Sequence, residues 1–102
     1  MKLDEELYVW FKENQESFAS RCGEIEFKDF GRGSASVILV SEKYIASVSA
    51  WNRALCLDIE VLEVETEDCK FPHVGDCKSM EEFRFHLNEF LTWFNENMGK
   101  NA

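Results

Sequence analysis

Apolar residues at the start of the chain recur with a helical period. Leu3, Leu7, Trp10, Phe11 and Phe18 fall on one side of a helix over 3–20, and Asp4, Glu5, Glu6, Lys12, Glu13 and Glu16 fill the other. The acids at 4–6 occupy the first turn, where the helix dipole favours negative charge, and Gly23 is placed as the stop after Arg21. The period then changes to two. Residues 24–30 alternate with Ile25 and Phe27 inward, and the Gly-Arg-Gly at 31–33 is a turn. A second strand covers 34–41, a third 44–51 and a long fourth 54–65, with turns at Glu42–Lys43 and Asn52–Arg53. In the fourth strand Leu55, Leu57, Ile59 and Val61 share one face but Leu62 and Val64 share the other. A β-bulge near Val61–Leu62 would reconcile them. A short strand at 69–71 is compatible with the sequence, with Pro72 confining it to an edge or an end.

The helical period returns over 79–98. Phe83, Leu87, Phe90, Leu91, Phe94 and Met98 form the apolar face, Ser79 and Glu82 have capping-box spacing, and Gly99 is the stop. Helix, consecutive strands with short loops, and helix predict an α+β fold. It is an antiparallel meander sheet of four to five strands, with the N- and C-terminal helices packed on one face (α-β-β-β-β-α). The 102 residues are expected to form a single domain, 1–102.

Composition narrows the function. Twenty acids against 11 Lys and Arg give a net charge of −9. That balance disfavours direct binding to nucleic acid or to an anionic membrane, and favours long-range attraction to a cationic partner. Acids at 4–6 interrupt any signal-peptide core and no apolar run reaches the ~20 residues of a membrane span, so a cytoplasmic location is expected. Cys22, Cys56, Cys69 and Cys77 are then expected as free thiols. The charge is concentrated. Between Leu55 and Asp68 stand Asp58, Glu60, Glu63, Glu65, Glu67 and Asp68, with no Lys or Arg. A strand shows one face away from the core, and this one would show carboxylates. The six acids are therefore candidate partner-binding residues. Trp51, which ends the preceding strand, is either packing at the sheet end or an anchor in the same interface. The plainer reading of the acids is a solubilising face that guards a strand edge.

Other chemistries fit less well. Cys69, His73 and Cys77 form C-x3-H-x3-C, a possible zinc set, but a fourth ligand has no obvious source, and no metal or cofactor is assigned. A Cys–His nucleophile pair, Cys69 or Cys77 with His73 or His86, would need a lowered thiol pKa beside a run of acids that raises it. Asp58 and Glu60 can be read as a glycosidase-like pair, yet a solvated strand face explains them as well. Gly-Arg-Gly lacks the Lys-Ser/Thr of a phosphate loop. No enzyme activity is expected.

The whole pattern resembles a bacterial toxin-immunity protein, closest to the TriTu family of polymorphic toxin and contact-dependent inhibition systems. The features that carry the resemblance are Trp10 within LYVWFKEN, Trp51 closing IASVSAW, the strand LDIEVLEVETED, and the capped helix SMEEFRFHLNEFLTWF. The resemblance implies an antitoxin, without catalysis, that binds the C-terminal domain of a secreted toxin. Such toxins are often nucleases, whose cationic cleft an acidic strand can occupy by mimicking phosphate. The free protein is expected to be a monomer. The rival readings are a small acidic secretion chaperone, which would place a helix between strands and form dimers, and a Cys/His metal-binding domain.

Overall fold

In the computed structural model, which describes residues 2–70 and 75–98, the chain runs α1 (Leu3–Arg21), β1 (Glu24–Gly31), β2 (Ser34–Val40), β3 (Tyr44–Trp51), β4 (Cys56–Glu63), α2 (Met80–Asn97). The four strands pair antiparallel in sequence order, as the short connections predicted. The last residue of the expected 69–71 strand, together with Pro72, His73 and Gly99, lies outside the described residues.

Each strand directs alternate residues to one buried face. Ala35, Val37 and Leu39 of β2, Ala46, Val48 and Ala50 of β3, and Leu57, Ile59 and Val61 of β4 are buried, and Ile25 and Phe27 of β1 pack at the margin. Leu3, Leu7, Trp10, Phe11 and Phe18 of α1 and Phe83, Leu87, Phe90 and Phe94 of α2 close over that face. Burying each such large side chain stabilises the fold by roughly 1.5–3 kcal/mol. Half-buried Trp93 leans from α2 onto Tyr44 of β3, ring centroids 5.1 Å apart.

The helices run parallel. Near their starts Arg84 holds Glu6 at 2.9 Å, midway Trp10 meets Phe90, and at their ends Arg21 donates to the carbonyl of Asn95. After an even number of strands the chain stands at the wrong end of the sheet to begin such a helix. The linker therefore has to return, and its described ends lie on the outer edge of β4 in antiparallel sense, Cys69 bridging to Leu62 and Asp76 to Cys56. Its backbone bonds join Lys70 to Val61 and Cys77 to Leu55. Where a short strand at 69–71 was considered, Cys69 and Lys70 make an isolated edge pairing with β4, and among the described residues the sheet has four strands.

Several local expectations change. The register of β3 with β4 is continuous from Trp51–Cys56 to Tyr44–Glu63, so no bulge lies at Val61–Leu62. Leu55 belongs to the turn, at φ 48°, and Leu62 lies on the face away from the helices. The register shift is in β1, between Asp29 and Gly31, where Phe30 is left exposed. Gly23 is not a left-handed stop. Extended Cys22 ends α1, and the Gly23 N–H donates to Val40 to begin the sheet. Ser79 caps α2 by accepting from the Glu82 N–H, while the Glu82 carboxylate accepts from the N–H of Lys78 rather than that of Ser79.

Candidate functional site: the uncovered sheet face

Among the described residues no helix lies over the second face of the sheet. Directly opposed residues in antiparallel strands share a face, so the register gives its composition row by row. One end row is Glu24, Val40, Ile45, Leu62, and the next is Glu26, Ile38, Ser47, Glu60. Then come Lys28, Ser36, Ser49, Asp58, and finally Gly31, Ser34, Trp51, Cys56. The return segment adds Cys69 beside Leu62 and Asp76 beside Cys56.

The sequence-predicted acids separate in this arrangement. Asp58 and Glu60 stand on the uncovered face, and Trp51 stands with them, 40 % exposed, so it is not part of the core. Glu63 has the opposite parity and is held at 3.0 Å by Lys70, whose ammonium is stabilised first by that hydrogen bond and so titrates above the ordinary lysine range. Glu65, Glu67 and Asp68 are exposed in the turn that follows β4, at the end of the sheet away from Trp51. Lys70 also lies 3.9 Å from Asp68. The uniform acidic ribbon is thus two patches, a strand pair on the sheet face and a turn cluster beyond its end.

The register also brings in residues that the sequence reading passed over. Glu24 and Glu26 line the far edge on β1, Asp76 joins from the return segment, and Lys28 is directed over the Phe30 ring. The middle is paved with small hydroxyls, of which Ser36 and Ser49 hydrogen bond to each other at 2.6 Å. The signal for Glu24 and Glu26 was the Glu-Ile-Glu-Phe alternation of β1. Ile25 and Phe27 inward place both acids outward, and the turn at 31–33 fixes what they stand beside.

The cysteine chemistry does not assemble. Cys69 and Asp76 bridge to positions six residues apart on β4, which separates the two ends of the C-x3-H-x3-C stretch by roughly 20 Å. Cys69 and Cys77 therefore do not share a metal. Among the described residues no group of three or more His, Cys, Asp or Glu is placed to hold one. Burial pushes the Cys77 thiol up, with Glu82 adding to the effect, and burial followed by Asp76 and Asp58 does the same to Cys56. Both shifts oppose thiolate formation. His86 sits on α2 between Glu82 and Glu89, as a helix-flank residue. No helix among the described residues is long and apolar enough to cross a membrane.

The two-layer arrangement thus presents an acid-edged sheet face that no helix covers among the described residues. Residues 5–93 match the family model described as immunity protein TriTu, and the chain belongs to that family. Family membership supports an antitoxin role, hence binding to a cognate toxin. No curated protein matches the chain, and no solved structure does.

Proposed function

We propose that this protein neutralises a basic, secreted toxin domain by covering its active site with the acidic strand surface, and that it does so without chemistry, metal or cofactor. The toxin is a nuclease, and the carboxylates of Asp58 and Glu60 take the places of phosphates in its cleft. Trp51 anchors one end of the contact, and Glu65, Glu67 and Asp68 meet cationic side chains at the other. Glu63 contributes less, because Lys70 already neutralises it. The protein acts as a monomer in the cytoplasm of the toxin-producing cell.

The observation that supports this reading is that Trp51, Asp58 and Glu60 share one uncovered sheet face in a member of an immunity family. The secretion-chaperone alternative is disfavoured by the element order, which has no helix between β1 and β4. The test is binding to the toxin domain encoded beside this gene, followed by titration calorimetry over a range of salt. The double variant Asp58→Lys/Glu60→Lys should bind at least ~10-fold more weakly and lose most of the salt dependence, since close interfacial charge pairs contribute at least ~1.5 kcal/mol. Unchanged affinity and an unchanged salt slope would remove this surface from the interface. Nuclease chemistry is tested separately, by whether the toxin domain alone degrades DNA or RNA and stops when the immunity protein is added.

A further inference from the structure

Over its two middle rows the uncovered face has a low centre between charged sides, a short trough. There the two central strands carry Ser36, Ser47 and Ser49, with Ile38 among them. The outer strands carry charged side chains, Glu26 and Lys28 on β1 and Asp58 and Glu60 on β4. Strands lie about 4.8 Å apart, so the walls on β1 and β4 stand about 14 Å from each other. An α-helix with its side chains is about 10–12 Å across, which fits between such walls, whereas a single added strand would leave most of the width empty. From the Trp51 row to the Ile45 row is six residues, roughly 20 Å, the length of a helix of about 13 residues.

We propose that this trough receives one α-helix of the toxin, with a narrow stripe of small and aliphatic residues on the serine and isoleucine floor and Lys or Arg on both flanks. The proposal rests on the antitoxin reading above and extends it from the acidic strand to the opposite edge of the sheet. Charge selects the occupant. Glu24, Glu26, Asp58, Glu60 and Asp76 face outward against the single ammonium of Lys28 among the described residues, so a cationic helix is attracted along both walls. A second copy of this chain would set those carboxylates against their own kind. The floor accepts close approach because Ser47 and Ser49 project little above the backbone, and Val40, Ile45 and Leu62 supply an apolar end where the helix can bury aliphatic residues. Trp51 closes the other end.

The test uses the intact protein and the toxin domain encoded beside its gene. Ser47→Trp puts a bulky ring on the solvent side of β3 and should leave the melting temperature nearly unchanged. It should weaken binding at least ~30-fold, the scale of a blocked interface centre. Glu26→Lys, on the strand farthest from the acidic one, should weaken binding roughly 10-fold, as expected for reversing one close charge pair. If both variants bind like the parent while Asp58→Lys/Glu60→Lys fails, the trough is wrong and the acidic-strand reading stands. If all three bind like the parent, both fall. Should Ser47→Trp fold poorly, Glu26→Lys decides together with amide hydrogen exchange of the parent complex. Unchanged exchange along β1 is expected, and new protection of β1 amides would overturn the helix in favour of an added strand. A free protein that runs as a dimer in sizing chromatography and becomes monomeric with Ser47→Trp would likewise overturn it, by making a second copy the occupant.

Discussion

Removing the side chain of Asn52 should loosen the first helix, although Asn52 lies 48 positions from the residue it bonds. The first helix begins after Lys2, which offers no side-chain acceptor to the exposed N–H groups of the first turn. Asn52, in the β3–β4 turn, supplies one from a distance. Its Oδ1 accepts from the Asp4 N–H at 2.9 Å and its Nδ2 donates to the Asp4 carboxylate at 2.6 Å. Its own N–H donates to Gly33 at 2.8 Å, so the two turns at this end of the sheet and the helix start are tied through one residue. Loss of a cap acceptor costs about 1 kcal/mol. The bond to the carboxylate adds about 1 kcal/mol, the low end for a charged partner, because the site is only partly buried. Asn52→Ala should therefore cost about 2 kcal/mol, which for a domain of this size lowers Tm by about 10 °C. Thermal melts followed by circular dichroism measure it. A cycle with Asp4→Ala isolates the side-chain pair, because that variant keeps the Asp4 N–H bond, and the coupling should exceed ~0.5 kcal/mol. A Tm for Asn52→Ala within ~1 °C of the parent, with the two substitutions simply additive, would refute the idea that this cross-chain cap stabilises the fold.

The same cluster makes Gly33 more demanding than Gly31. Gly33→Ala strains a backbone at φ 79° and brings a Cβ to 3.0 Å from Asn52 Nδ2, whereas Gly31, at φ 73°, faces open space. Urea titrations should show Gly31→Ala costing about 1 kcal/mol and Gly33→Ala visibly more, and equal losses would contradict the close contact. Phe90→Ala and Leu87→Ala each empty a fully packed site on α2 and should cost about 3 kcal/mol, measured by chemical denaturation. Burial raises the Cys22 thiol from 9.0 to about 11, with the nearby Arg21 opposing. The unfolded chain therefore loses this proton first, so stability contributed by the neutral thiol is complete below pH 9.0 and declines as the pH rises toward about 11. Melts of Cys22→Ala against the parent should show a weaker alkaline loss in the variant, and parallel pH curves would refute it.

The helices and the meander were legible because each rests on one strong local signal. Five apolar residues at helical spacing define α1, a capped apolar stripe defines α2, and glycine or polar turns separate the strands. What sequence could not supply was register. Leu62 suggests a bulge from sequence because an aliphatic residue at an outward position of a strand looks like a change of face. The structure keeps the face constant and places Leu62 beside Ile45 and Val40 on the uncovered side. The return segment was hidden for a related reason. Only the parallel course of the helices requires the linker to begin at one end of β4 and finish at the other, and that course depends on contacts such as Arg84 with Glu6. The candidate site was legible in part. Asp58, Glu60 and Trp51 were named, but Glu24, Glu26 and Asp76 reach the same face only through pairing with other segments. Glu63 was counted with them because its neutralising lysine comes from beyond the turn.

A pavement of serines carries a consequence for how such a protein changes over time. Short hydroxyl side chains have few rotamers to lose, so pressing something against them freezes little motion. They and the residues around them also add little to the hydrophobic interior, which lies on the other surface of the same strands. On the docking proposed above, substitutions there would retune recognition at each generation while the scaffold keeps its melting point, so an inhibitor and its adversary could diverge together without either having to be rebuilt.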